Sequence, residues 1–498
     1  MSSNDCTITK RKQIHDFLVN PKVVRFCIRF ALVFLPLMIF LGVLVAVFLG
    51  PTNYNIMDNY ISDMGSHRYT PIPKFLDDGV MLTSIMLVPA CFYLKKIFDS
   101  KSKQLESINV STKYTSVVLI TMLIGMFGIF CAGVFNEDVG ISLEPFTIYD
   151  LHEVFTVVEF VGTATAGLLI GIILVRFPNG IMEIFGYKKM PKVYPIILGL
   201  IMIFLTPILC VFFLLELPPS GPFWEWMLFF SIFGWLMTIG IIILNQIKND
   251  EIIEKKKFHE FLVDPKVVRP CIIFAQIYFP LMIITGYIIA VLLGPGTFNI
   301  MDNYISDLGS LRYTPIPKFL DNATMLTSLL LVPISFYIKH MFDSKSKQLE
   351  SINVSTKYTS VVLITMLIGL FGIFIVGFIN EDVAISLYPF TTNEYDLHDI
   401  FTVFPQFVGL ASAGLLIGII FVRYPEGIIE ITGYKNLSKS IIIIIGLIMI
   451  FLTPILTAFF ILDLPPSDAF WEWMLFFSIY GWIPPIGIMI LHQIKSEA

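Results

Sequence analysis

The sequence predicts an all-α polytopic membrane protein with twelve transmembrane helices, arranged as two parallel six-helix repeats. Three observations predict this fold: the composition, the length of the apolar runs and an internal duplication. Of the 498 residues, 56% are hydrophobic and 14% are charged, and the mean hydropathy is +0.80. Soluble domains carry about 25% charged residues, so a water-soluble fold could not hide this much apolar surface.

The apolar runs are long enough for membrane-spanning helices. Such a helix needs about 20 mostly apolar residues, whereas the strands of a membrane barrel are shorter and alternate in polarity. Each half of the chain contains six such runs, separated by short loops. We expect spans at residues 27–49, 79–98, 115–135, 152–175, 193–215 and 223–246, and again at 271–293, 323–341, 359–379, 398–421, 440–462 and 470–493.

The duplication is visible by direct comparison of the two halves. Residues 98–125 recur unchanged at 342–369, and residues 59–78 return with few changes at 303–322. We therefore divide the chain into a first six-span repeat at 1–247, a charged linker at 248–258 and a second six-span repeat at 259–498. A residue that both copies share is a candidate for a common role, and one that differs marks divergence.

The loop charges predict the orientation in the membrane. Lys and Arg crowd the N-terminal segment, the loops after spans two and four, and the linker, while the other loops are mainly acidic. Cytoplasmic loops carry the excess of Lys and Arg. We therefore expect an integral protein of the cell membrane with both termini cytoplasmic, and two repeats of the same orientation. No cofactor and no nucleic-acid partner is indicated, and membrane lipids are the expected partners.

The first outer loop carries a polar motif in both copies. Pro71 and Pro73 restrict the backbone, so we expect an ordered loop without α-helix. We expect Gly65 to allow a turn with positive φ. The candidate binding residues of this loop are Asn59, Ser62, Asp63 and Gly65, and in the second copy Asn303, Ser306, Asp307 and Gly309.

The second outer loop combines carboxylates with a histidine at the start of span four. Its candidates are Asn136, Glu137, Asp138, Asp150 and His152, and in the second copy Asn380, Glu381, Asp382, Asp396 and His398. This chemistry suits acid–base work or a metal, but no H-x-x-x-H or H-E-x-x-H spacing occurs, so no metal site is predicted.

Asp150 also has an alternative role at the start of span four. Asp150 and Glu153 resemble a capping box, and acids favour a helix N-terminus. We expect a neutral His152 bonded to a loop carboxylate. We predict that Asp63 and Ser62 meet His152, and that their counterparts Asp307 and Ser306 meet His398.

Within the predicted fourth span, the copies differ in charge. Glu159 lies seven residues after His152, and its counterpart region offers Gln406 and adds Pro405, which would bend span ten. An isolated charge in a bilayer is costly. Glu159 is therefore either protonated and bonded to a neighbouring helix, or it extends the His152 cluster inward and makes the first repeat the active one.

Spans five and six are expected to be ordinary. Each copy places two tryptophans at the start of its last span, which is typical of the aromatic belt at a membrane surface. These residues are Trp224, Trp226, Trp471 and Trp473.

Several of these residues resemble a family signature. N-Y-I-S-D-x-G-S followed by Y-T-P-x-P, the later F-N-E-D and the histidine that opens span four resemble the CWH/FRAG/DRAM/SFK-type six-span membrane proteins. A related prokaryotic six-span family of unknown function shares the S-D-x-G and histidine features. The resemblance implies roles in GPI-anchor lipid remodelling, autophagy or plasma-membrane lipid organisation, and no shared catalytic mechanism. The usual member is a single six-span unit, so this tandem is a departure.

Three functions fit these observations. The first is binding or remodelling of lipid head groups at the outer leaflet. The second is secondary transport of a small solute, because twelve spans in two parallel halves are also the major-facilitator plan. The third is a non-enzymatic scaffold or regulator. The sequence has no Walker loop and no nucleophile elbow, which disfavours common ATPases and hydrolases and leaves an enzymatic activity open.

Overall fold

The computed structural model describes residues 14–144, 147, 149–185, 191–250, 258–387, 397–433, 438–462 and 464–497. Among these residues there is no strand, and twelve helices are long and apolar enough to cross a membrane. The all-α polytopic fold is thereby confirmed. The chain forms two compact units, Met1–Lys255 and Lys256–Ala498. The candidate Asp396 and linker residues 251–257 lie outside the described residues.

The spans of the first unit start and end close to the predicted positions. Span one begins at Pro21, six residues earlier than predicted, because Asn20 caps it by accepting a 3.0 Å hydrogen bond from the Lys22 amide. Capping side chains satisfy amides that have no partner within the helix. The six spans are Pro21–Leu49, Lys74–Lys101, Thr112–Val134, Leu151–Arg176, Val193–Leu214 and Gly221–Lys248, the last within a helix that ends at Asp250.

The second unit carries spans seven to twelve. Asp264 caps span seven through the Lys266 amide at 3.0 Å. The spans are Pro265–Leu293, Lys318–Lys345, Thr356–Phe378, Leu397–Arg423, Lys439–Ile461 and Asp468–Ser496, the last within a helix that ends at Glu497.

Short helices join several spans. The loop after span one contains a 3₁₀ turn at Ser62–Gly65, and the loop after span seven contains one at Ser306–Gly309. The short α-helices are Glu137–Leu143, Pro178–Ile184, Phe258–Leu262, Glu381–Leu387 and Pro425–Thr432. We call the end of each unit that holds its 3₁₀ turn the loop-one end.

Small residues let spans three and four approach closely. A Cβ atom on Gly128 would lie 2.4 Å from the backbone nitrogen of Glu159. A Cβ atom on Gly372 would lie 2.3 Å from the backbone nitrogen of Gln406. Glycine is common at such contacts because membrane helices associate through close packing. Glu159 and Gln406 therefore occupy corresponding positions within their own units.

The fourth span differs between the units. Span four is a continuous α-helix, whereas span ten contains a π-helical segment at Thr402–Val408 that includes Pro405. The sequence from Leu151 to Gly162 has one residue fewer than the sequence from Leu397 to Gly409. A π-helical segment accommodates one inserted residue and is frequent at functional sites.

Candidate functional site

A buried glutamate holds the loop after span one. Glu225, in the first turns of span six, is 3% exposed. Its Oε2 accepts hydrogen bonds from the Ile61 amide at 2.7 Å and from the Ser62 amide at 3.4 Å. In the second unit Glu472 accepts from Ile305 at 2.8 Å and from Ser306 at 3.5 Å. These hydrogen bonds hold the loop after the first span of each unit against the last span of that unit.

The tryptophan beside each glutamate fixes the same loop. The Trp226 ring nitrogen donates to the Asn59 carbonyl at 3.1 Å, and that of Trp473 donates to Asn303 at 2.9 Å. Both rings are nearly fully buried, at 2% and 3% exposure. The expected aromatic belt is therefore wrong for these two residues. Glu225 and Glu472 were missed, although an acid at the same place in both copies of F-W-E-W-M-L was a usable signal.

Asp63 closes a polar turn at the loop-one end. Its Oδ2 accepts from the Tyr60 amide at 2.9 Å and from the Asn59 side chain at 3.4 Å. Asp307 receives the same bonds from Tyr304 at 2.9 Å and from Asn303 at 3.3 Å. Asp63 is 7% exposed and Asp307 is 2% exposed. Burial is the main cause that raises the pKa of both carboxyls above the ordinary value.

Asn136 ties the second loop to the first. It caps the helix Glu137–Leu143, and its Nδ2 donates to the Gly65 carbonyl and to Asp77 Oδ2, both at 2.7 Å. Asn380 makes the corresponding contacts with Gly309 at 2.5 Å and Asp321 at 3.1 Å.

Asp138 makes a second tie between these loops. It accepts from the Ser66 hydroxyl at 2.6 Å and from the His67 amide at 2.9 Å. Asp382 does the same for Ser310 at 2.7 Å and Leu311 at 2.8 Å. These contacts give Asn136, Asp138 and their counterparts a structural role.

Gly65 is required for a reason that the sequence analysis did not give. Among the described residues, the one glycine with positive φ is Gly433, so the expected positive φ of Gly65 is wrong. Gly65 ends the 3₁₀ turn, and a Cβ atom there would lie 2.4 Å from Asp77 Oδ1. At Gly309 the corresponding distance to Asp321 Oδ1 is 2.7 Å. Both glycines make room for a carboxylate of the following span.

Two carboxyl groups face each other at the loop-one end of each unit. Burial, and next the charge of Asp63, raise the pKa of Glu137 to about 6. Burial, and next the charge of Asp307, raise the pKa of Glu381 still further. Two adjacent carboxylates disfavour each other's ionisation, which is why the charge of the aspartate adds to the effect of burial on the glutamate. Each pair also lies within electrostatic range of an exposed arginine, Arg68 or Arg312.

His152 lies beside this pair, but its ring bonds to the backbone, so the expected bond of His152 to a loop carboxylate is wrong. Its Nδ1 is 2.9 Å from the Phe135 carbonyl, and His398 Nδ1 is 2.8 Å from the Ile379 carbonyl. A carbonyl can only accept, so Nδ1 carries a proton in both. His152 is within electrostatic range of Asp63, and His398 of Asp307. Ser62, which was also predicted to meet His152, instead has its hydroxyl 3.5 Å from Glu225.

Asp150 caps span four, the alternative that the sequence analysis left open. Its side chain accepts from the His152 amide at 2.8 Å.

Five residues at the loop-one end of each unit form what we call its polar cluster. They are Asn59, Asp63, Arg68, Glu137 and His152 in the first unit, and Asn303, Asp307, Arg312, Glu381 and His398 in the second. Within the part of the chain that the structure describes, no group of three or more His, Cys, Asp or Glu side chains could hold a metal ion.

The interior below each polar cluster contains a cavity. In the first unit a cavity of about 30 Å³ is lined by Glu159, Thr83 and Ser84 among apolar side chains. The Glu159 carboxyl is within electrostatic range of Glu225, which in turn is within range of Asp63. In the second unit a cavity of about 90 Å³ is lined by apolar side chains and by the polar residues Gln276, Ser306, Thr324, Thr327, Thr402, Gln406, Glu472 and Tyr480.

Part of the chain matches a known family model. Residues 279–489 match the family model described as "Protein of unknown function (DUF998)". This agrees with the expectation of an uncharacterised membrane protein family. It does not identify the CWH/FRAG/DRAM/SFK-type family, and that resemblance stays a prediction. No curated protein matches the chain, and no solved structure matches it.

Proposed function

We propose that this protein binds the head group of a zwitterionic membrane phospholipid at each polar cluster, on the outer leaflet. The observation that carries the proposal is the carboxyl pair beside an exposed arginine, which occurs in both units. The proposal treats residues 1–247 and 259–498 as two repeats, each with one cluster. It concerns binding, and no bond-making step is part of it.

The charges of the cluster match the two charges of such a head group. Arg68 lies over the Tyr69 ring with its guanidinium carbon 5.7 Å from the ring centre. A stacked, exposed guanidinium is well suited to bind a phosphate through two parallel hydrogen bonds. The Asp63–Glu137 pair would bind the ammonium group, because a nearby cation favours the ionised form of both carboxyls.

The position of the cluster agrees with this ligand. The loop residues follow span one and precede span two directly, so they lie at the depth of lipid head groups if the spans cross the bilayer. The resemblance of residues 59–73 and 136–153 to CWH/FRAG/DRAM/SFK-type proteins, whose members are linked to lipid organisation, is consistent with the proposal.

The test measures lipids retained by the full chain in native mass spectrometry after exchange between phosphatidylethanolamine and phosphatidylglycerol. We expect preferential retention of phosphatidylethanolamine, reduced at least about tenfold when Arg68→Gln and Arg312→Gln are combined, since each removes a charge-assisted contact. The matched control combines Arg176→Gln with Arg423→Gln. These arginines also lie over neighbouring rings, at 5.5 Å, but they end spans four and ten, away from the clusters. Equal loss in both double variants would contradict the proposal.

One observation favours a second candidate, proton-coupled secondary transport. In the first unit Glu137, Asp63, Glu225 and Glu159 form a series in which each carboxyl acts on the next, from the loop-one end into the membrane. Acids within spans commonly mark proton relays. A proton flux assay in sealed vesicles separates the candidates. Uptake of protons that Glu159→Gln abolishes, with lipid selectivity unchanged, would favour transport.

A further inference from the structure

We propose that the second unit contains a separate site, inside its helix bundle, for a small uncharged molecule that carries a hydroxyl group. The site is the cavity of about 90 Å³ lined by residues of spans seven, eight, nine, ten and twelve. A water molecule needs about 10–15 Å³ of such space, so the cavity has room for about six to nine water-sized occupants. It is a different site from the polar cluster and goes beyond head-group binding.

The cavity is associated with the inserted residue of span ten. Thr402 and Gln406 both line it, and both belong to the π-helical segment Thr402–Val408. The wider π turn changes the direction of side chains relative to a continuous α-helix. Because Gly372 still contacts the Gln406 backbone, the insertion is absorbed before Gln406, and the packing of span ten on span nine is kept.

Three polar atoms in the lining have no hydrogen-bond partner within the described part of the chain. They are Thr327 Oγ1, Thr402 Oγ1 and Gln406 Oε1. Thr327 is 5% exposed and Thr402 is 4% exposed. A buried threonine usually bonds a carbonyl of its own helix, as Thr432 does with Ile428 at 2.8 Å. Buried polar atoms are normally satisfied, so these atoms indicate a ligand with polar groups of its own.

The rest of the lining defines the ligand. Among the described residues that line the cavity none is basic, so an anion would be unpaired. The one acid, Glu472, uses Oε2 to hold the loop through Ile305. Four other polar residues in the lining already donate hydrogen bonds within the unit: Gln276, Ser306, Thr324 and Tyr480. The rest of the lining is apolar and includes Phe279, Phe407 and Phe476. A molecule with an apolar body and one hydroxyl fits, because the hydroxyl can donate to Gln406 Oε1 and accept from a threonine.

The first unit does not offer the same site. Among the described residues, Thr83 Oγ1 also has no hydrogen-bond partner, as in its counterpart Thr327, but the cavity beside it is about 30 Å³ and has room for about two or three water-sized occupants. Glu159 takes the place of Gln406, and span four has no π-helical segment there. Binding is therefore expected in the second unit alone.

The experiment uses the full chain in lipid nanodiscs and a diazirine-bearing eight-carbon alcohol as a photolabel. Adducts are located by peptide mass spectrometry and competed with 1-octanol. We expect saturable adducts on peptides that contain Phe407 or Phe476. Thr327→Val with Thr402→Val keeps the shape and removes both hydroxyls, so the half-saturating concentration should rise about tenfold. Thr402→Ser keeps the hydroxyl and should bind like the parent protein. This expectation can be checked even if the double variant fails to fold.

The controls separate specific binding from partitioning. A diazirine-bearing eight-carbon alkane without a hydroxyl should respond equally in the parent protein and the valine variant. Thr83→Val, the matched change in the first unit, should leave the labelling unchanged. Absence of adducts in the cavity, adducts that 1-octanol does not compete, or an unchanged half-saturating concentration in a folded valine variant would overturn the proposal. The first of these results would mean that water alone satisfies the three polar atoms.

Discussion

The two units are nearly identical at the loop-one end and differ inside the membrane. Asp63, Glu137, Arg68 and Glu225 have counterparts of the same residue type, and Asp63 and Glu225 make the same hydrogen bonds as their counterparts. Below them, a glutamate beside a small cavity in the first unit corresponds to a glutamine beside a larger cavity in the second. This difference indicates one shared role at the surface and separate roles in the interior.

Replacing Glu225 or Glu472, which hold the loop after the first span of each unit, should have the largest effect on stability. The effect should be equal in both units. Glu225→Leu removes the acceptor of the buried Ile61 amide and of the partly buried Ser62 amide, and we expect the free energy of unfolding to fall by about 3 kcal/mol. Glu472→Leu should cost about the same. Denaturant unfolding in detergent micelles measures both. Glu153→Leu, at an exposed position that starts span four, is the control, and a comparable loss there would contradict the anchoring role.

Filling the space beside the carboxylate of span two should cost somewhat less. Gly65→Ala places a Cβ atom 2.4 Å from Asp77 Oδ1, and we expect a loss of about 2 kcal/mol from overpacking. Gly309→Ala should lose less, because its contact distance is 2.7 Å. Gly234→Ala has open space around it and should gain about 0.5–1 kcal/mol from lower chain entropy and better helix propensity. A neutral effect of Gly65→Ala would show that the turn adapts freely.

The carboxyl pairs should give the smallest effect, which depends on pH. A raised pKa in the folded state means that the folded chain binds more protons, so the free energy of unfolding falls as pH rises. For Glu137 the fall occurs between its ordinary value and pH 6. It should be about 1 kcal/mol, since partial exposure weakens the interaction. Glu137→Gln should flatten this slope.

The second unit should extend this fall to higher pH, because the pKa of Glu381 is raised more than that of Glu137. Unfolding measured from pH 4.5 to 8.5 for Glu137→Gln and Glu381→Gln tests the difference. If the free energy of unfolding depends on pH in the same way in both variants, the two pairs do not differ in pKa. A slope of the opposite sign would contradict the raised pKa values of Glu137 and Glu381.

The sequence predicted what depends on local pattern. Run length gave the twelve spans, and the acid before the first turn gave the Asp150 cap. Contacts between distant segments could not be predicted from local pattern. Glu225 meets Ile61 across 164 residues, and glycine is needed at Gly65 because of Asp77 on another element. An acid next to a tryptophan at the start of a span is typical of a membrane surface. The structure shows instead that Glu225 is buried and accepts hydrogen bonds from loop amides.

The π-helical segment illustrates the same limit. The extra residue before Gln406 is visible in the sequence, and Pro405 suggested a bend. Neither observation specifies that the helix takes up the residue as a π turn or that a cavity lies beside it, because both depend on how span ten packs on its neighbours.

The most direct test is an experimental density map of the full chain in nanodiscs that contain phosphatidylethanolamine and 1-octanol. The account predicts head-group density at both polar clusters, with the phosphate at Arg68 and Arg312. It also predicts elongated density beside Gln406 and none of that shape beside Glu159. Empty clusters with bound molecules elsewhere, or the same interior density in both units, would contradict it.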